Sequence, residues 1–160
     1  MLAAALAGAL IYPIVSHGAP ATGTAAPDFV LKAVDGHNQR LSEYLGDTVI
    51  LSFWASWCGP CRETLSELNT MASAPGADAP VLLGINLDGD AARAAAVAES
   101  LHLKFPTLVD TKQSVSRLYD VEKLPLTLLV DRDGKVRGAW AGDATPVPEV
   151  MRQIKELERR

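Results

Sequence analysis

A chain of 160 residues in which 48% are hydrophobic suits one domain that buries a core without covalent staples. Its formal net charge is -4 and its Lys and Arg are nowhere bunched into a run, so it has no electrostatic footprint for nucleic acid and no polybasic membrane patch. No nucleic-acid partner is expected.

The first 27 residues stand apart, because none is Asp, Glu, Lys or Arg and Met1 to Val15 is almost wholly apolar. As a helix that run rises only about 22 Å, short of the roughly 30 Å hydrocarbon layer. It therefore reads as the apolar part of an export signal or as a membrane anchor, with cleavage left open, although a basic segment ahead of it is missing. Residues 18–27, rich in Ala, Pro, Gly and Thr, read as a linker, and residues 28–160 as the folded domain.

"DFVLKAVDGHNQRLSEYLG" alternates apolar and polar residues around "DGHN", which predicts a β-hairpin whose second arm runs into a short turn at Ser42 to Leu45. "TVILSFWA" is a near-continuous apolar run that suits a strand buried on both faces. From Pro60, Leu65, Leu68 and Met71 or Ala72 recur at helical spacing until "SAPGADAP" breaks the helix, and "VLLGINL" predicts a second buried strand. "DGDAARAAAVAESLHL" offers an Asp cap followed by an alanine-rich helix. "PTLVD" reads as a short strand, "KQSVSRLYD" as a short helix, and "LTLLVDRDGKVRGAW" as a hairpin turning at Asp133-Gly134. A helix from Pro148 places Val150, Ile154 and Leu157 on one face. The resulting order, β-β-α-β-α-β-α-β-β-α, implies an α/β fold with a mixed central sheet, helices on both faces and an N-terminal β-hairpin.

Cys58 and Cys61 are the only cysteines. As a staple they would close a ring contributing about 2 kcal/mol, against more than about 4 for a loop of a hundred residues. As a zinc site they supply two ligands of four, and His17, His37 and His102 are scattered singly with no spacing that completes a tetrahedron. A redox pair uses every feature present. The buried strand delivers Cys58 to its end, Gly59 permits a tight approach, and Pro60 fits the first helical turn, where a missing N–H costs nothing. Cys58 then meets the positive end of the helix dipole, which favours a thiolate and makes it the attacking sulfur. Cys61, one turn on, is placed to resolve the mixed disulfide. Trp57 reads either as a packing aromatic or as the rim of a substrate groove.

With "WCGPC" on a strand-to-helix turn, the chain resembles the thioredoxin superfamily. The frame from "APDFVLKAVDG" through "LSEYLGDTVILSFWASWCGPCR", "VLLGINLD", "FPTLVD" and "YDVEKLPLTLLVDRDGKV" to "GAWAG" is similar to its TlpA/ResA/DsbE-like branch of exported thiol-disulfide oxidoreductases. The resemblance implies a thioredoxin-like fold and a catalytic set of Cys58, Cys61 and Pro125, the last in a cis bond after Leu124. Trp57, Gly59, Pro60 and Leu124 would line the substrate groove, with the backbone of Leu124 pairing with a bound substrate strand. Spacing alone reads Pro125 as a strand-start proline. The resemblance further implies a monomer that uses no cofactor beyond its own disulfide. Its expected partners are a protein disulfide and a membrane electron donor of the thiol-reducing type, with a possible N-terminal tether. The expected place is the periplasm or the outer face of the cytoplasmic membrane, and the expected work is reduction of apocytochrome c or of a copper-site cysteine pair.

Three positions, in two places, depart from the family pattern. Ser52 stands where thioredoxins often carry a buried acid, and Thr64 and Ser66 stand where ResA-type members carry a glutamate and a proline. Glu63 and Glu67 are turned away from that slot by the helical rotation of 100° per residue. Water, Glu122 or Lys123 are then the candidates to take the Cys61 proton. Two other functions remain. Peroxiredoxins share a "PDF" opening but want a lone cysteine in a T-x-x-C setting, whereas Trp54, Ala55 and Ser56 precede Trp57 here. A copper(I) metallochaperone would use both thiolates on a soft ion. "NLDGD", residues 86–90, lacks the glycine and the glutamate of a calcium loop and reads as a helix cap.

Overall fold

The computed structural model describes residues 18–73, 79–143 and 145–159. The apolar run of Met1 to Val15 lies outside the described residues, as does most of the helix-breaking "SAPGADAP". No helix among the described residues is long and apolar enough to cross a membrane.

Seven strands form one mixed sheet in the order β2-β1-β5-β4-β3-β6-β7. They are β1 (Val30–Ala33), β2 (Asn38–Arg40), β3 (Val49–Trp54), β4 (Val81–Asn86), β5 (Thr107–Val109), β6 (Leu126–Val130) and β7 (Val136–Ala141). The helices are α1 (Gly59–Ala72), α2 (Ala91–Ser100), α3 (Ser114–Leu118) and α4 (Val147–Glu158), and a 3-10 turn spans Leu41–Tyr44. Three strands precede α1, the two hairpin arms and the buried strand each read from the sequence, which the order written above counts one short; the 3-10 turn separates the hairpin from β3.

β3 runs parallel to β4 and antiparallel to β6, and every one of its residues is buried. Alternation then divides the core in two. Val49, Leu51 and Phe53 face one way, into a cluster with Val115 and Tyr119 at α3 and with Leu41. Ile50 and Trp54 face the other way, into a cluster with Leu65 and Leu68 of α1, Ala94 and Val97 of α2, and Val150 and Ile154 of α4. The two crossovers β3-α1-β4 and β4-α2-β5 advance in the same direction across the sheet. Right-handed connection therefore puts α1 and α2 on the same face. α3 leads back across the sheet to β6 and covers the opposite face.

The segment read as a linker is tied down over part of its length. The Gly23 and Ala26 N–H groups donate to the carbonyls of Val136 (2.7 Å) and Gly134 (2.9 Å), and the Val136 N–H donates to Thr24 (2.9 Å). The fully buried Tyr119 donates its hydroxyl to the Pro27 carbonyl at 2.6 Å and packs edge-on to Phe29, ring centroids 6.0 Å apart. Burial of that phenol pushes its pKa up, with the Asp28 charge adding to the shift, so the hydroxyl stays a donor at any ordinary pH.

Candidate active site

β3 ends at Trp54, and the chain turns through Ala55 and Ser56 to the exposed Trp57 before α1 begins at Gly59. Cys58 is the N-cap residue of α1, in extended conformation, with Pro60 in the first turn. It is joined to Cys61 by a disulfide, Cα to Cα 5.3 Å. The Cys61 N–H, one of the donors a helix start leaves without an intrahelical acceptor, points at the Cys58 sulfur at 3.2 Å. In the reduced chain the same donor and the helix dipole stabilise negative charge on that sulfur. Cys58 keeps 5% of its surface open while Cys61 keeps none, so Cys58 is the sulfur that an outside disulfide can reach.

The Leu124-Pro125 bond is cis. Pro125 is buried, and its carbonyl accepts the Gly142 N–H at 3.0 Å. The antiparallel register pairs Phe53 with Leu126, so the start of β6 lies beside the end of β3 from which the cysteine turn departs. Half-buried Leu124 packs against the cluster that contains both cysteines. Leu124 also lines, with Trp57, Leu87, Val121, Arg117 and Glu122, a groove of about 360 Å³. Trp57 is 75% exposed, which sets aside its reading as a packing aromatic.

Gly59 corrects one expectation. Nothing lies within 4 Å of where its Cβ would stand, so the fold itself makes no tight approach there. Gly59 and Pro60 are exposed at the mouth of the turn. Glu63, Glu67, Glu122 and Lys123 are exposed, whereas Thr64 is fully buried.

Two sets of polar contacts beneath the turn escaped the reading of the sequence. The Asp88 carboxylate accepts the Ser56 N–H with both oxygens, at 3.0 and 3.2 Å, and the Nδ2 of fully buried Asn86 at 3.0 Å. Only Asp90 of "NLDGD" caps α2, accepting from Ala92 and Arg93 at 3.0 and 3.2 Å. Asp88 instead braces the approach to the cysteines. The signal was available in principle, since polar residues at the C-terminal end of a buried parallel strand lie where α/β sheets build their sites. The second set is made of hydroxyls. Thr64 Oγ1 accepts the Thr145 N–H at 3.0 Å, and the Thr145 and Thr127 hydroxyls share a hydrogen bond at 2.7 Å, all buried. The hydroxyl of Ser52, a residue level with Gly84 and Thr127 in the sheet, is buried with no hydrogen-bond partner among the described residues.

Comparisons with known proteins agree with this geometry. Residues 22–139 match the family model described as the AhpC/TSA family. The thiol-disulfide oxidoreductase ResA of Geobacillus kaustophilus is 35% identical over 140 residues, covering 88% of this chain and 80% of its own. Among solved structures, a Chlorobium tepidum protein described as a thiol:disulfide interchange protein DsbE superposes with a TM-score of 0.76 at 33% identity, over 86% of this chain and 96% of its own. The exposed lipoprotein thioredoxin of Streptococcus pneumoniae superposes with a TM-score of 0.68 at 31% identity, over 82% of this chain and all of its own.

Proposed function

The chain belongs to the AhpC/TSA family as a thiol-disulfide oxidoreductase of thioredoxin-like fold, and on that premise we propose that it works as a reductant of protein disulfides in the cell envelope. The observation that carries the reading is the placement of Cys58 as the cap of α1, facing the Cys61 N–H and keeping a narrow 5% of its surface accessible, with Cys61 wholly closed off.

The Cys58 thiolate attacks one sulfur of the partner's disulfide, and the other sulfur of that disulfide leaves as a thiolate that takes a proton. Cys61 then gives up its proton and attacks the Cys58 sulfur, and the partner's second sulfur departs and is protonated in turn. The partner gains two electrons and two protons, and the chain is left in the disulfide form. A thiol-reducing donor at the membrane returns the two electrons. Trp57, Gly59, Pro60 and Leu124 form the surface over which the partner lies, and the backbone ahead of Pro125 pairs with it as an added strand. No bound cofactor enters the cycle. The apolar N-terminal residues 1–15 and the surface-exposed character named for the pneumococcal relative support export to the periplasm or the outer face of the cytoplasmic membrane. The substrate class this fits is a cysteine pair that must be reduced before it binds haem or copper.

Cys58→Ser is expected to abolish insulin reduction, and full retained activity would overturn the mechanism. Cys61→Ser in the native envelope is expected to trap the partner on Cys58 as a mixed disulfide identifiable by mass spectrometry. The "PDF" opening shared with peroxiredoxins leaves a thiol peroxidase as the second reading, and hydrogen peroxide consumed faster than insulin disulfides would favour it. Retention of stoichiometric copper(I) with negligible disulfide exchange would favour a metallochaperone.

A further inference from the structure

The buried hydroxyls join the two parts that a protein substrate must touch at once. Thr64 sits one helical turn beyond Cys61 on α1, and Thr127 sits two residues beyond Pro125 on β6. Between them Thr145 gives its N–H to Thr64 at 3.0 Å and shares a hydroxyl hydrogen bond with Thr127 at 2.7 Å. Three residues before Thr145, the Gly142 N–H holds the Pro125 carbonyl at 3.0 Å. Leu65, Leu68, Leu129, Val150 and Ile154 belong to one apolar cluster that includes residues of α1, β6 and α4, and the buried Ser52 hydroxyl, without a hydrogen-bond partner among the described residues, stands cross-strand from Thr127.

Apolar contacts alone hold a helix to a sheet with little preference for small slides, whereas a buried hydrogen bond tolerates a narrow range of distance and angle. The Thr145 N–H is buried and must have an acceptor, and Thr64 Oγ1 is the one it has. We propose that Thr64 is a positioning residue which, through Thr145 and Thr127, sets the spacing between the helix that carries the cysteines and the strand that begins at Pro125. This rests on the reading given above, in which a protein substrate pairs with the backbone before Pro125 while presenting its sulfur to Cys58. For such a substrate a shift of about 1 Å between α1 and β6 spoils the alignment of the sulfurs and costs on the order of tenfold to a hundredfold in rate. A small disulfide that touches only Cys58 does not sense the shift.

The test compares the reduced chain against two substrates, insulin and a dipyridyl disulfide. Thr64→Val keeps the shape and removes the acceptor, and Thr64→Ser keeps the acceptor. The expected result is an insulin rate at least tenfold lower in Thr64→Val, a dipyridyl disulfide rate within about twofold of the unmodified chain, and recovery of the insulin rate in Thr64→Ser. Amide exchange at Thr145 is expected to accelerate in Thr64→Val and to slow again in Thr64→Ser. Thr127→Val cuts the far end of the same link without touching α1, and it decides the matter if Thr64→Val does not fold. Unchanged rates, or equal losses against both substrates, would overturn the proposal. An unmodified chain inactive towards both substrates would instead reject the thiol chemistry on which the proposal rests.

Discussion

Asp88 holds the Ser56 N–H two residues before the reactive cysteine, and its own place is held by Asn86. Replacing it by Ala leaves a half-buried donor without an acceptor, a cost of about 1–3 kcal/mol, and frees the turn that presents Trp57 and Cys58. Asp88→Ala is therefore expected to slow insulin reduction several-fold and to lower the urea midpoint, while Asp88→Asn, which keeps a carbonyl oxygen, loses little of either. Single residues are where the sequence was least readable. Two acids in the five residues of "NLDGD" suggested one cap, but their carboxylates are divided between α2 and a turn thirty-two residues away in the chain. The same holds for Thr64. Its spacing identified the slot where relatives carry an acid, yet its partner, Thr145, lies eighty-one residues on, beyond the reach of any local pattern.

At the scale of elements, hydrophobic periodicity carried most of the information. β3 and β4 are buried runs because helices or loops cover the sheet on both faces, and α1 buries Leu65 and Leu68 at the spacing that marks a helix. The β6–β7 hairpin turns where "DRDG" suggested, and Asp131 shows why that turn holds. Its carboxylate accepts the N–H groups of Asp133 and Lys135 at 3.0 and 2.9 Å and pairs with Arg137. Partial burial pushes its pKa up, but the Lys135 N–H, the Arg137 guanidinium and the Asp133 N–H together outweigh burial and hold it below the ordinary carboxylate value of 3.8. A carboxylate depressed in the folded state adds stability that is fully present above its unfolded pKa and is lost as pH falls through the lower folded value. The hairpin's contribution should thus persist at neutral pH and fade below about pH 4. Asp131→Asn is expected to be less stable than the unmodified chain at pH 7, with the gap narrowing towards pH 2, as read by urea unfolding across that range.

For the whole molecule, the contacts made by residues 23–27 matter more than their composition suggested. A segment of small residues and prolines reads as linker because nothing in it repeats, and the partners that secure it lie on β7 and α3, more than ninety residues later. Starting the chain at Asp28 instead of Gly18 removes three backbone hydrogen bonds to the β6–β7 hairpin and the Tyr119 bond to Pro27. At about 1 kcal/mol each, the expected loss is roughly 2–4 kcal/mol, measurable as a lower urea midpoint with the sheet otherwise intact. Equal stability of the two chains would show that the contacts are dispensable.

Those contacts also decide which way the molecule faces. The segment enters at Gly134 to Val136, beside the Val130 end of β6, whereas the cysteine turn and Pro125 crowd the Leu126 end, roughly 13 Å away along the strand. An N-terminal tether of the kind proposed above would hold the domain by the pole opposite Cys58 and Cys61, and would leave the cysteine end turned outward to sweep the space around it.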